Sequence, residues 1–194
     1  SQTPEEGLPG ASGIVWTPPS YSGWPMNPIG SSSSVVSALD AGDAFGAIQT
    51  PYPGPTNHAA IFPNGSAANW IDLHPLGMAA SGISAADEGQ QVGGTGYYSD
   101  AKAGLWFGSA ASHRSLHPAG AERSGAYACQ LGIQAGYATV GGLEHAVLWA
   151  GSAESVVDLH GFLPSNFTAS SIEDVEVHAD GSMVSATSHI GDRL

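Results

Sequence analysis

A repeat of 43 residues constrains this chain more than any other feature of its sequence. The segment that begins at Ser81 (SGISAADEGQQVGG) aligns without a gap with the segment that begins at Ser124 (SGAYACQLGIQAGY). Further along, residues 102–106 (KAGLW) fall on residues 145–149 (HAVLW), again 43 positions apart. A gapless match over a whole unit is typical of a repeat architecture, so the fold has to be built from copies of one unit.

Two further units complete the pattern. One spans residues 33–77 and has about three extra residues in the loop QTPYPGPTN. The other is divided between the two ends of the chain. Its first half begins at Glu173, and in its second half Trp16 takes the place of Trp106 and Trp149. A solenoid needs no complementary half-units at its termini, so the division favours a closed ring.

Each unit contains four short stretches that alternate or are rich in β-branched residues, separated by glycine and polar turn residues, which is typical of strands and hairpins. We therefore predict an all-β, four-bladed β-propeller with four antiparallel strands per blade and a fourth blade closed by strands from both termini. The predicted tail is residues 1–10, and the single domain of residues 11–194 divides into blade 1 (about 33–77), blade 2 (about 78–120), blade 3 (about 121–163) and blade 4 (about 164–194 plus 11–30).

The composition excludes several classes of partner. The chain has 4 basic residues and 17 acidic residues, which gives a formal charge of −13. Such a surface repels nucleic acid and anionic lipids, so neither is an expected partner, whereas cations, neutral glycans and basic partners stay open. No apolar run approaches the ~20 residues of a membrane helix. The single Cys129 allows no intrachain disulfide and is expected in the core.

The motifs HAVLW, HAAIF and DLHP, with the turns GQQVGG and GIQAGY, resemble the HAF (His-Ala-Phe) extracellular repeat family over about residues 11–190. The resemblance implies a propeller-like repeat protein that is secreted or attached to the cell surface. Residues 1–10 do not read as an intact signal peptide, so we expect the chain to be a mature form. The family implies no defined cofactor or catalytic residue. The first His of the motif is replaced by Lys102 in one unit and by Ser12 in another.

Four repeat histidines are candidate functional residues. His58 and His145 open the third strand of their units, and His74 and His160 close the fourth strand. Because antiparallel neighbours bring the start of one strand beside the end of the next, we expect His58 near His74 and His145 near His160. These pairs could clamp one blade to the next through Asp or carbonyl groups. They could also bind a divalent metal, with an Asp as third ligand, or act in acid–base chemistry.

The loops that vary between the units are predicted to lie on one face of the ring. Aromatic side chains beside carboxylates suit sugar rings, which stack on apolar faces and form hydrogen bonds at their edges. Because the loops differ between the units, we expect a single asymmetric site. The candidate ligand-binding residues are Tyr52, Tyr97, Tyr98, Asp100, Glu144 and His189.

The acidic run SIEDVEVHADG supplies a further metal candidate. Aligning Glu173 with Ser81 puts Glu176 at the inner-strand position of Ser37, Ser84 and Tyr127. A carboxylate there could point to the axis and bind Ca²⁺ or another hard cation. A solvent-exposed acidic face is the alternative interpretation.

The sequence favours a binding module that holds a glycan or other small ligand on the loop-rich face. The first alternative is a hydrolase, lyase or isomerase that works with or without a divalent cation, for which the candidate catalytic residues are His145, His160 and Glu144. The second alternative is a structural or oligomer-forming repeat protein. A propeller fold alone does not choose among these functions.

Overall fold

The computed structural model describes residues 11–17, 22–51, 56–178 and 180–188. These residues form an all-β protein without α-helix, which confirms the predicted class. Its strands are β1 (Ile14–Thr17), β2 (Ser22–Pro25), β3 (Ser33–Asp40), β4 (Asp43–Thr50), β5 (Thr56–Phe62), β6 (Ile71–Asp72), β7 (Ser81–Asp87), β8 (Gln90–Thr95), β9 (Lys102–Trp106), β10 (Arg114–Ser115), β11 (Ser124–Gln130), β12 (Ile133–Val140), β13 (Leu143–Trp149), β14 (Val157–Asp158), β15 (Ser171–Val177) and β16 (Met183–Ser188).

Short 3₁₀ helices lie in the loops between strands. They are Pro63–Gly65, Ala67–Asn69, Tyr98–Asp100, Ala110–Ser112, Ala153–Ser155 and His160–Phe162. Among the described residues, no helix is long and apolar enough to cross a membrane.

Three repeats each form one four-stranded antiparallel sheet, with the strands in chain order. These are sheet 1 (β3–β6), sheet 2 (β7–β10) and sheet 3 (β11–β14). The split unit forms two separate two-stranded sheets, the N-terminal hairpin (β1–β2) and the C-terminal hairpin (β15–β16). The described residues therefore do not join these hairpins into a fourth four-stranded sheet, and that part of the fold stays a prediction.

The N-terminal hairpin has the same strand register as the outer pair of strands in the complete sheets. Ile14 pairs with Pro25, just as Val147 pairs with Asp158 in sheet 3. The C-terminal hairpin similarly corresponds to an inner pair. Its bulge lies between residues 172 and 174, matching the bulge between residues 126 and 128 of sheet 3.

Tight turns join the first two strands of each complete sheet. Ala41, Glu88 and Leu131 adopt φ angles of 46–48°, and each is followed by a glycine with φ of 82–93°. Two successive positive φ values make a type I′ turn, whose twist matches that of the two strands. In the C-terminal hairpin the paired residues Val177 and Met183 are separated by five residues, so this connection is longer.

This longer loop corrects the alignment of the last unit. The extra residues lie in the turn after β15, so the structural equivalent of Ser124 is Ser170 and not Glu173. Glu173 then occupies the bulge position for which the sequence predicted Glu176. The prediction for Glu176 was wrong because sequence comparison placed the insertion before the strand.

The core consists of clusters between neighbouring sheets. Trp106 of sheet 2 is buried among Phe45, Leu73 and Ile83, and its indole N–H donates to the Leu73 carbonyl at 3.0 Å. Trp149 is buried between sheets 2 and 3. The same repeat position predicts a buried indole for Trp16 as well, but in this structure Trp16 is 63% exposed. Cys129 is buried, as expected.

A glycine opposite each bulge lets the first two strands approach closely. A Cβ atom built at Gly46, Gly93 or Gly136 would overlap the carbonyl oxygen of Val35, Gly82 or Gly125, respectively, far inside contact distance. That obstacle is backbone, which cannot move aside like a flexible side chain. The same steric requirement recurs in all three complete sheets.

We predict that Gly136→Ala destabilises the protein by about 2–3 kcal/mol, because the added methyl group forces β11 and β12 apart. The matched control is Gly161→Ala, since a Cβ atom at Gly161 meets nothing within 4 Å. Urea unfolding followed by circular dichroism measures both variants. Equal stability of the two variants would contradict this steric account.

Candidate functional site

A cleft of about 390 Å³ opens where the first strands of sheets 1, 2 and 3 converge. Its floor is made of small side chains and glycines of β3, β7, β8 and β11, so a ligand could approach the backbone closely. Its walls include Tyr97, Tyr98, Tyr127 and Tyr137, and we call it the tyrosine cleft. Two of these, Tyr97 and Tyr98, belong to the predicted ligand-binding set.

The loop between β8 and β9 presents the two predicted tyrosines. Asp100 accepts a hydrogen bond from the Tyr97 backbone N–H at 2.8 Å, and its own N–H donates to the Tyr97 carbonyl at 3.0 Å. Tyr97 is 50% exposed and Tyr98 is 79% exposed. Asp100, predicted as a ligand contact, therefore fixes the conformation of the loop.

A cation stacks on one of these rings. The Arg123 guanidinium lies 4.7 Å from the centroid of the Tyr98 ring. Its Nη2 atom lies 3.8 Å from Oε1 of Glu144, the predicted carboxylate of this face. A hydrogen bond with Tyr98 is the largest of the interactions that raise the pKa of the Arg123 guanidinium. Glu144 does not line the cleft itself and is connected with the wall residue Tyr98 through Arg123, which the sequence interpretation did not single out.

Tyr127 and Tyr137 form the opposite wall. Their ring centroids are 5.4 Å apart, with the rings tilted by 36°. Burial raises the pKa of both phenols, and the negative charges of Glu144 and Glu173 raise that of Tyr127 further, so both phenols are neutral hydrogen-bonding groups at neutral pH. Tyr137 is buried, whereas Tyr127 is 37% exposed and can contact a ligand.

Sequence reasoning missed Tyr127 and Tyr137 as site residues, although the repeat contained a signal. Tyr127 occupies the bulge position held by Ser37 and Ser84 in the other complete sheets. Tyr137 likewise stands where the equivalent strand has the small residue Gly94. A large aromatic residue that replaces a small one in a single repeat marks the place where one sheet departs from the common structure.

The repeat histidines belong to a second, structural arrangement. In sheet 1, His74 Nδ1 lies 2.8 Å from the hydroxyl of Ser81, the first residue of sheet 2. That hydroxyl also accepts the Ala59 backbone N–H at 2.9 Å. His74 Nε2 faces the Met78 carbonyl at 3.1 Å, so Nε2 carries the proton and Nδ1 accepts from Ser81. We call this connection between neighbouring sheets a latch.

Within the described residues, the latch occurs four times. In three copies a histidine after the fourth strand of a complete sheet joins a buried serine, and that serine accepts a backbone N–H from the third strand of the same sheet. In the fourth copy Asn27 follows β2, and the serine accepts the backbone N–H of Gly13, which precedes β1. The sets are His74–Ser81–Ala59, His117–Ser124–Ala103, His160–Ser170–Ala146 and Asn27–Ser34–Gly13.

The other two predicted histidines support two of the latches. The His58 and His74 rings stack with centroids 4.0 Å apart, and those of His145 and His160 with centroids 4.3 Å apart, which confirms the predicted proximity of each pair. His58 Nδ1 lies 3.0 Å from Asp72, whose other oxygen accepts the His74 backbone N–H. Sheet 3 repeats this geometry with Asp158, at 2.7 Å from His145 Nδ1.

This geometry does not favour the metal and catalytic interpretations. Stacked imidazoles do not direct their nitrogen lone pairs toward a common ion, and no group of three or more His, Cys, Asp or Glu within the described ranges is arranged to hold one. Glu144 and His145 are successive residues of β13, so their side chains project to opposite faces of the sheet. The candidates His145, His160 and Glu144 therefore do not converge on one reacting position.

Two predicted ligand residues lie outside the described residues. They are Tyr52 and His189.

Comparisons with protein-family models, with curated proteins and with solved structures found no match for this chain. The function is therefore inferred from the contacts of the tyrosine cleft and of the latches.

The latch histidines make stability depend on pH. Burial is the main reason that the pKa of His74 lies below its usual value, and the electrostatic effect of the neighbouring His58 lowers it further. Burial also lowers the pKa of His117, and the positive charge of Lys102 lowers it further. Asp72 and hydrogen bonds to backbone carbonyls act in the opposite direction but are weaker. The folded protein thus favours neutral rings at both latches.

We predict that the free energy of unfolding is lower at about pH 5 than at about pH 7.5. Both histidines have a folded-state pKa below the unfolded value of about 6.5, so their stabilising effect is complete above that pH and is lost on acidification. The double variant His74→Asn/His117→Asn copies Asn27 of the first latch and should show a weaker pH dependence. His178→Asn, at an exposed histidine, is the control. Urea titrations at both pH values measure the effect, and an unchanged pH dependence in the double variant would contradict it.

Proposed function

We propose that the three sheets and two hairpins are the blades of a four-bladed β-propeller. Four latches support this proposal, because a ring of four blades has four junctions between neighbours, and each latch would occupy one. The register of the N-terminal hairpin supports it further, since Ile14 pairs with Pro25 as Val147 pairs with Asp158. In the proposed ring β16 pairs with β1, and the two hairpins complete one blade.

Membership of the HAF repeat family is part of the same proposal. Its motif residues His58, His74, His145 and His160 are all latch residues or their stacking partners. This explains why the motif can vary, since Asn27 serves in place of a histidine at one junction. Export to the cell exterior stays a prediction from the resemblance.

Ring closure should bury Trp16, and its fluorescence provides the test. The difference spectrum between wild type and Trp16→Phe should show the short-wavelength emission and weak acrylamide quenching of a buried indole. The reference is Trp106→Phe, which reports the fully buried indole at the equivalent position. Emission and quenching typical of an indole in water would contradict the closed ring.

We propose that the protein binds a glycan in the tyrosine cleft. The observation that carries this proposal is the combination of two exposed tyrosines, Tyr97 and Tyr98, with a floor of glycine, alanine and serine. Flat aromatic faces stack on the C–H faces of sugar rings, while phenol and serine hydroxyls can bind the sugar hydroxyls. A floor of small side chains leaves room for such a ring, and the volume of about 390 Å³ lies within the usual range of ligand sites.

The binding experiment is isothermal titration calorimetry against a panel of neutral oligosaccharides. We expect at least one to bind, and Tyr97→Ala or Tyr98→Ala to weaken it by about tenfold or more through loss of stacking. Both side chains are exposed, so the fold should be retained, which melting temperatures verify. Phe162→Ala is the matched control, because Phe162 is an 82% exposed aromatic residue of the 3₁₀ helix His160–Phe162 and does not line the cleft.

A panel without any binder would overturn the glycan proposal. Binding that survives both tyrosine substitutions would place the glycan elsewhere on the protein and would also contradict it.

A further inference from the structure

The tyrosine cleft shares two residues with the latches. Its lining includes Ser81 and Ser124, the serines that connect sheet 2 to sheets 1 and 3. The serines of the other two latches, Ser34 and Ser170, are not among the residues that line it. A change in the latches on either side of sheet 2 therefore reaches the surface on which a ligand would lie.

Both serine hydroxyls have a fixed set of hydrogen bonds. The Ser81 oxygen accepts the Ala59 N–H at 2.9 Å, and its hydroxyl donates to His74 Nδ1 at 2.8 Å, since Nε2 of that ring carries the proton. Ser124 makes the equivalent two contacts at the same distances. Both serines are buried, so they support the floor of the cleft and do not exchange these partners for bulk water.

Protonation of a latch histidine is incompatible with this set of hydrogen bonds. The added proton goes to Nδ1, which changes from an acceptor into a donor. The serine oxygen has two lone pairs and can accept both N–H groups, but its own hydrogen then loses its acceptor. A buried donor without a partner is costly, so the serine has to rotate or the imidazolium has to move away. Either movement changes the floor of the cleft and loosens a junction beside it.

Two titratable groups face the His74 ring. His58 of β5 stacks on it with centroids 4.0 Å apart, and Asp72 of β6 accepts the His74 backbone N–H. Burial lowers the pKa of His74 and the electrostatic effect of His58 lowers it further, while the Met78 carbonyl and Asp72 oppose these effects. The folded protein therefore holds this ring in its neutral form at neutral pH, and acidification charges it.

A positive charge faces the other ring. Burial lowers the pKa of His117, Lys102 of β9 lowers it further, and a hydrogen bond to the Ala121 carbonyl opposes both effects. In the first latch Asn27 makes the equivalent contact with its serine, and an amide does not titrate in this range. The latches on both sides of sheet 2 thus respond to acid, and the asparagine latch provides an internal reference.

We propose that pH regulates the tyrosine cleft through the two latches of sheet 2, so that a second proton on His74 or His117 weakens ligand binding. This inference rests on the proposed glycan-binding function and specifies how the same site is controlled. The ligand binds the form in which both serines keep their partners. Because linkage is reciprocal, a bound ligand also makes protonation of the two histidines less favourable.

Amide hydrogen exchange, followed by NMR without a ligand, tests the latches. The serines of the two latches protect the amides of Ala59 and Ala103. The protection factors of these amides should fall by about fivefold or more between about pH 7.5 and about pH 5. The reference is the Gly13 amide, which Ser34 of the asparagine latch accepts, and its protection should fall less.

Calorimetry with uncharged ligands tests the cleft. The probes are the oligosaccharides of the neutral panel, including cellotriose, maltotriose and tri-N-acetylchitotriose, so any pH dependence comes from the protein. The wild type should bind about fivefold or more weakly at about pH 5 than at about pH 7.5. His74→Asn/His117→Asn should bind equally well at both pH values, whereas the control His178→Asn should keep the wild-type dependence. Circular dichroism at each pH verifies that the variants are folded.

The outcomes distinguish this inference from the proposed function. Equal affinity of the wild type at both pH values would overturn the pH coupling and leave glycan binding in place. A pH dependence that persists in His74→Asn/His117→Asn would also overturn it, because other groups would then cause the effect. Should that variant not fold, the exchange data decide, since protection at Ala59 and Ala103 that falls no more than at Gly13 contradicts the latch mechanism. A panel without any binder would overturn both proposals.

Discussion

The latch serine is the contact on which the relation between successive sheets depends. Ser81 and Ser124 are buried, and each accepts a backbone N–H from the third strand of the preceding sheet. A buried N–H without an acceptor costs about 1–3 kcal/mol, so no sheet can satisfy its own backbone in isolation. Each repeat therefore needs the first residues of the next. The histidine or asparagine orients that serine, which explains why a neutral hydrogen-bonding side chain is needed at this position and why Asn27 suffices at one junction.

The bulge and its opposing glycine set the shape of the cleft. Because Gly46, Gly93 and Gly136 carry no Cβ atom, the first two strands of each sheet approach closely and turn one bulge residue out of the ladder. Small residues at two of these bulges leave open space, while Tyr127 fills part of it. All three sheets thus need a glycine opposite the bulge, but the bulge residue itself differs between them. This difference gives the cleft its open space and its tyrosine wall.

The sequence predicted the all-β class, the three four-stranded sheets and the proximity of His58 to His74, because a gapless repeat fixes strand order and antiparallel pairing fixes neighbours. It could not place Glu173, since an insertion in a hairpin turn and one before the strand give the same residue count. It identified Tyr97 and Tyr98 of the cleft walls but not Tyr127 and Tyr137. Arg123 reaches Tyr98 from the next repeat, a contact that depends on how two sheets pack.

The division between repeated and unrepeated residues also bears on function. The latch residues recur because each of them helps to satisfy a buried backbone N–H at its own junction. Their recurrence is therefore explained by the stability of the fold. Tyr97, Tyr98, Arg123 and Tyr127 occur once each, at one junction between sheets 2 and 3. Arg123 is one of 4 basic residues in the chain, and its guanidinium contacts the wall residue Tyr98. Its position between Tyr98 and Glu144 is explained by the attraction of the guanidinium to an aromatic face and to a carboxylate, and the contact stabilises the position of Tyr98 in the cleft wall.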